Sequence, residues 1–204
     1  MEKRDAEKDI LEAAKKVFIT KGSAGARIQE IADMANINKA MLYYYFKTKE
    51  QLFNRIIEDA AMLMSQNIIP ALIGDKNIID KLEQLTENYI DTLSEHPYIP
   101  IFILSELNQH PQTFQDKVQS RITDSNVLPN LFQQILLEQQ QNKIKPIAPQ
   151  HLILTVMSLL VFPFVAKPIF TQLFKMGETQ YVRFMNERKA EVKKIIRLLL
   201  KPNP

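Results

Sequence analysis

The chain has 204 residues, with 26 lysines and arginines against 23 acids and a formal net charge of +3, and is long enough to bury a substantial core as one large or two small domains. Cysteine is absent, which excludes disulfides, thiolate nucleophiles, zinc–thiolate sites and thiol redox sensing together. So slight a positive charge argues for no particular partner, and the local placement of Lys and Arg has to carry any nucleic-acid reading.

The N-terminal run MEKRDAEKDI is charged and has no apolar segment, so it does not read as a secretory signal. With four glycines and no alternating strand pattern, all-α is the expected class. A first helix is predicted from Asp5 to Lys21, with Ile10, Leu11, Ala14, Val17 and Phe18 on one stripe. Gly22 then ends it as a C′ glycine does. Asp5, Glu7 and Asp9 near its start and Lys15, Lys16 and Lys21 near its end match the helix dipole, on a face that reads as solvated. Ser23 to Ala26 is a loop that delivers Arg27 to the next helix, where its charge can reach a phosphate or simply face solvent.

The stretch RIQEIADMANINKAMLYYYFKTKEQLF, Arg27 to Phe53, is the most informative. Ile28, Ile31, Ala32 and Ala35 fall on one face of a short second helix. Asn36 tolerates a left-handed backbone and can turn the chain. Asn38 stands as N-cap of a third helix, Lys39 to Phe46, in which Leu42 and Phe46 point inward together. Two short helices around a tight corner make a helix-turn-helix. With Leu42 and Phe46 committed to the core, Lys39, Ala40, Met41, Tyr43 and Tyr44 are left at the surface and Tyr45 at its margin. Consecutive tyrosines lie 100° apart, so one face cannot bury them all. A tyrosine ring can meet a thymine methyl or a sugar and its hydroxyl a phosphate oxygen, small Ala40 permits close approach, and Lys39, Lys47 and Lys49 can neutralise phosphates.

The segment LYYYFKTKEQLF resembles the N-terminal DNA-binding domain of TetR-type (tetracycline-repressor-like) bacterial transcriptional regulators, whose pattern is Leu-Tyr-x-His-Phe-x-x-Lys-Glu-x-Leu. Leu42, Tyr43, Phe46, Lys49, Glu50 and Leu52 match it, and Tyr45 stands where His is usual. The likeness covers roughly the first 55 to 60 residues. It implies a three-helix DNA-binding domain over residues 1–50, joined by a fourth helix to a helical effector-binding and dimerisation domain over 51–204. DNA-contact candidates are Arg27, Asn38, Lys39, Ala40, Met41, Tyr43, Tyr44, Tyr45 and Lys49. A cation at Lys49, on the unfavourable end of a helix dipole, reads as a phosphate contact.

Thr48 reads as N-cap of the fourth helix, with Gln51 completing a capping box. That helix is expected to reach Asn67, ahead of Pro70 and Gly74, and to link the two domains. Further helices are predicted over Asn77–Glu95, Tyr98–Gln109 and, bent or broken near Pro129, Phe114–Gln141, whose Gln139 to Gln141 end reads as solvated. Gln150 to Phe174 is apolar nearly all round, so burial on several sides is expected, with kinks at Pro163 and Pro168. Its most apolar part, Leu152 to Ala166, has about 15 residues, fewer than the roughly 18 to 20 that cross a bilayer. A final helix, Glu178–Lys201, has Tyr181, Phe184, Met185, Val192, Ile195, Ile196 and Leu199 on one side and Arg183, Arg188, Lys189, Lys193, Lys194 and Arg197 on the other.

One helix-turn-helix reads a half-site, so a homodimer on a pseudo-palindromic double-stranded DNA operator is expected. The stretch Gln150 to Phe174 and the final helix are candidates for its interface, or else for a purely intramolecular core. The resemblance implies a small, largely apolar effector that releases a repressor from its operator. Polar or aromatic groups interrupting the apolar helices, Tyr89, Phe102, Glu106, His110, Thr155, Ser158 and Phe162, are candidates to line its pocket. His96, His110 and His151 lie far apart, and no acid or histidine cluster has ligand spacing, so no enzyme, metal or cofactor is expected. The predicted location is the cytoplasm, without a membrane partner. A helical protein-interaction module without DNA function is the rival reading.

Overall fold

The computed structural model describes residues 3–109 and 126–202. Among the described residues the chain forms ten helices and no strand: α1 (Lys3–Gly25), α2 (Ile28–Met34), α3 (Lys39–Tyr45), α4 (Lys49–Leu72), α5 (Ile78–Glu95), α6 (Ile99–Gln109), α7 (Val127–Gln140), α8 (Pro149–Val165), α9 (Lys167–Leu173) and α10 (Glu178–Leu200). They pack as two compact units. The first holds the described residues up to Met62 and α6 from Ile101 onward, and the second holds 63–100 and the described residues from Asn126 on.

In the first unit α1 is not continuous: Gly22 sits at φ 68, ψ 171, a backbone reserved for glycine. The predicted stop at Gly22 is therefore a kink, after which Ser23–Gly25 form one more turn instead of a loop. Ile10, Ala14, Ile31, Leu42, Leu52 and Ile56 are completely buried. Phe18 meets Phe53 edge-on, with centroids 5.2 Å apart, and Phe102 of α6 closes the cluster, 5.3 Å from Phe53 and 6.0 Å from Phe18. Phe102 is 1% exposed. The expectation that Phe102 lines an effector pocket is corrected here: it belongs to the core of the first unit.

The fourth helix outruns its predicted end at Asn67 and continues through Pro70 to Leu72. A proline near the last turn forfeits one hydrogen bond, and the helix ends within two residues of it. Residues 114–125 of the predicted seventh segment lie outside the described residues. From Val127 on, Pro129 falls in the first turn of α7, where its missing N–H costs nothing, so it starts the helix and does not interrupt it. Gln139 is not simply solvated; its amide donates to the Ile147 carbonyl at 2.7 Å.

The second unit is held by a ladder between α5 and α10. Arg197 pairs with Glu83, Lys193 with Glu87, and Lys189 with Asp91 and, at 3.4 Å, with Glu87. The partners step by one helical turn on each side, in opposite chain directions, so the helices run antiparallel. Burial alone would raise the Glu87 carboxyl, but the hydrogen bonds and charges of Lys193 and then Lys189 outweigh it and hold that group below the usual carboxylate range.

In α8 the helix passes through Pro163 and bends by 67° into α9 around Ala166. Two carbonyls stranded there find partners on α10: Arg188 Nη2 donates to Leu159 at 3.3 Å, and Tyr181 donates its hydroxyl to Pro163 at 2.9 Å. Burial, then the charge of Glu178, pushes the Tyr181 hydroxyl up to about 12. The expected burial of Gln150–Phe174 on several sides is not what the single chain has. Leu152, Val156, Leu160 and Phe164 face the core, while Leu154, Phe162, Ile169 and Leu173 are 58–67% exposed. No single described helix is long and apolar enough to cross a membrane, and α8 with α9 passes that test only as a bent pair.

Candidate nucleic-acid interface

The corner between α2 and α3 is built as its residues dictate. Asn36 takes φ 55, and the N–H of Ile37 returns to the Ala32 carbonyl at 3.0 Å, closing the α2 end. Asn38 is extended, and its side chain accepts from the Met41 N–H at 2.7 Å. Asn38 is thus the α3 N-cap, and that side-chain oxygen is already engaged. Phe46 leaves the helix in extended backbone and is buried, with Leu42 fully enclosed one turn earlier.

These two anchors turn the rest of α3 outward. Lys39 and Ala40 are exposed, Met41 is 38% and Tyr43 42% exposed, Tyr44 is 70% exposed, and Tyr45 is intermediate. The Lys39 ammonium lies 5.7 Å from the Tyr43 ring centroid, within cation–π reach, so charge and ring travel together. The Tyr44 and Tyr45 rings meet edge to face, 5.4 Å between centroids. The result is a ridge of flat rings with a cation at its start.

Around the ridge the supports are polar. Thr48 Oγ1 accepts from the Gln51 N–H at 3.1 Å while Gln51 Oε1 accepts from the Lys47 N–H at 3.1 Å, a capping box shifted one residue toward the N-terminus. Lys21 reaches Glu30 at 2.6 Å and ties α1 to α2; the Lys21 hydrogen bond holds the Glu30 carboxyl below its usual range. Arg27 is exposed at the start of α2. Lys49 has a different task from the one its position suggests. Its ammonium donates to the carbonyls of Ala24 at 3.3 Å and Ala26 at 3.1 Å, so two of its three protons bind the α1–α2 connection. A cation at the start of α4 is thereby explained without a phosphate.

The effector-pocket candidates of the second unit differ in their surroundings. Tyr89 is buried in α5, where burial raises its hydroxyl well above the ordinary range. Thr155, Ser158 and Phe162 lie on the exposed side of α8; the Ser158 hydroxyl is spent on the Leu154 carbonyl at 2.7 Å, and Phe162 packs edge-on against Phe170. They share the outward face with Leu154. The Glu106 side chain and His110 lie outside the described residues. Sequence reading missed Lys81, Gln134 and Glu138, a buried polar group described below. Ile78, Lys81, Leu82 and Leu85 share one inward stripe of α5, and a lysine on such a stripe was the available signal.

A capped three-helix head that presents an aromatic ridge beside a tight corner defines a helix-turn-helix DNA-binding protein. Residues 10–56 match the family described as bacterial regulatory proteins, tetR family. The chain is 32% identical over 102 residues to the HTH-type transcriptional repressor NicS of Pseudomonas putida, a match that spans 50% of this chain and only 48% of NicS. Against the biofilm operon icaADBC HTH-type negative transcriptional regulator IcaR of Staphylococcus aureus it is 27% identical over 194 residues, 94% of this chain and 97% of IcaR. The ketosteroid transcriptional regulator KstR2 of Mycobacterium tuberculosis superposes with a TM-score of 0.74 over 97% of this chain and 95% of its own; at 14% identity that likeness concerns the fold alone. The head thus matches the DNA-binding domain of tetR-family regulators, and along nearly its whole length the chain is similar to a negative transcriptional regulator.

Proposed function

We propose that this regulator is a repressor that binds a pseudo-palindromic operator as a homodimer in the cytoplasm and leaves it when a small effector occupies the second unit. The outward turn of α3 carries this reading: Tyr44 at 70% exposure has no packing role large enough to account for it. Lys39, Ala40, Met41, Tyr43 and Tyr44 face the bases and their sugars, while Arg27, Lys47, Tyr45 and the remaining Lys49 proton serve the phosphates. Repression is supported by the likeness to NicS, a transcriptional repressor, and to IcaR, a negative transcriptional regulator.

The dimer reading is supported by the uncovered apolar face of α8, with Leu154 64% and Phe162 58% exposed, and by Leu198 of α10 at 68%. In the dimer a second copy covers that face and sets the two ridges about one duplex turn, roughly 34 Å, apart. α4 runs from the first unit into the second as a single helix and transmits effector occupancy to the head.

Tyr44→Ala tests the reading on duplexes selected from a random pool. Affinity falls by about 1–3 kcal/mol without loss of helicity, since little of that ring is packed. Wild-type affinity also drops steeply between about 50 and 200 mM salt. Unchanged affinity in the variant removes α3 from the contact surface, and salt-independent association points to an apolar partner contact instead.

A further inference from the structure

Two charged side chains are buried among the described residues, Lys81 at 4% and Glu138 at 7% exposure. The amide of Gln134 stands between them: Lys81 Nζ donates to Gln134 Oε1 at 2.6 Å, and Gln134 Nε2 donates to Glu138 Oε1 at 2.8 Å and to the Lys76 carbonyl at 2.8 Å. Glu138 is well provided for. Its two oxygens accept from the Ile78 N–H at 3.1 and 3.2 Å, at the first residue of α5, where the helix dipole favours a negative charge.

Lys81 is not matched in the same way. Its ammonium has three protons, its partner Gln134 offers a neutral oxygen, and among the described residues it forms no ion pair. A cation withdrawn from water and given one neutral acceptor is costly to keep. It lines a cleft of about 210 Å³ together with Leu72, Ile73, Val127, Asn130 and Leu131. Val127 and Leu131 are buried and form the apolar floor, while Ile73 and Asn130 are exposed at the rim.

We propose that this cleft binds the carboxylate of a short aliphatic acid, its head on Lys81 and its chain along Leu72, Val127 and Leu131. Binding supplies the ionic partner that Lys81 lacks among the described residues. The volume lies below the roughly 300–1,000 Å³ of pockets for drug-sized ligands, so the chain is short. A dianionic phosphate is disfavoured, because Glu138 stands one amide away from the single cation. That the acid acts as the effector rests on the ligand-responsive reading above; that the cleft binds it does not.

The test is calorimetric titration of the full-length protein with hexanoate, hexanamide and hexylamine, in wild type and in Lys81→Met and Lys81→Gln. Methionine keeps the length and apolar packing of the stem, and circular dichroism verifies that both variants fold. Hexanoate binds wild type at or below ~1 mM and at least about tenfold more weakly to either folded variant, while hexanamide and hexylamine do not bind. No hexanoate binding at that concentration, equal binding by a folded variant, or equal binding of hexanamide overturns the proposal. A selected duplex is titrated in parallel: hexanoate that binds through Lys81 without loosening the duplex overturns the effector role, whereas failure of the protein to bind any selected duplex overturns DNA regulation and leaves the carboxylate site standing.

Discussion

Replacing Phe102 with alanine separates two accounts of that residue. In the first unit its ring is 1% exposed and packs against Phe18 at 6.0 Å and Phe53 at 5.3 Å. Burying a side chain of this kind contributes about 1.5–3 kcal/mol, and each well-formed ring pair adds about 0.5–1.5 kcal/mol. With the cavity left behind, Phe→Ala in a closed core costs about 3–5 kcal/mol. Against a typical total of about 5–15 kcal/mol that is a large share. Urea unfolding followed by circular dichroism measures the loss, and amide exchange locates it: protection falls around Ile10–Phe18 and Leu52–Ile56, which share the cluster. Phe102→Leu restores part of the volume and part of the stability. A loss below about 1 kcal/mol with exchange in α1 and α4 unchanged refutes the core assignment.

Three further outcomes follow from the packing. Glu138→Ala strands the buried Ile78 N–H and costs about 1–3 kcal/mol, seen as a lower unfolding midpoint and faster exchange at Ile78; Glu138→Gln, which keeps an acceptor, costs less. Gly22→Ala meets no atom within 4 Å, so space is not the obstacle, but φ +68 with ψ 171 strains any L side chain and costs about 1–3 kcal/mol by thermal or urea unfolding. On acidification, the contribution of Glu87, whose folded carboxyl sits below its ordinary value, is complete above the ordinary carboxylate range and disappears as pH falls through the lower folded value. Glu87→Gln therefore flattens the acid limb of a stability-against-pH curve, and an unchanged limb contradicts the ladder; the pair is partly exposed, so the change is modest.

The head was legible because its determinants are local. Asn36, Asn38, Leu42 and Phe46 act within one or two turns of themselves, and the corner, cap and inward pair in the structure are the ones their order predicts. Prolines were read less well, since their effect depends on where in a helix they fall: Pro70 lies inside the end of α4 and Pro129 inside the first turn of α7. Lys49 was read incompletely for a related reason. Its helix-start position is visible in the sequence, but the Ala24 and Ala26 carbonyls it serves come from 25 and 23 residues earlier.

By itself the sequence determined the helical class, the helix-turn-helix and the outward tyrosine ridge, since hydrophobic period, capping residues and a tolerant Asn specify backbone within a few residues. Only the tertiary structure decided that Phe102 completes the first unit's core, that α5 and α10 share ion pairs across as many as 114 residues, and that Lys81 is buried beside a cleft and pairs with no carboxylate among the described residues. Those outcomes depend on which surfaces meet after the chain has folded back on itself, and one-dimensional spacing carries no record of a partner so distant along the chain.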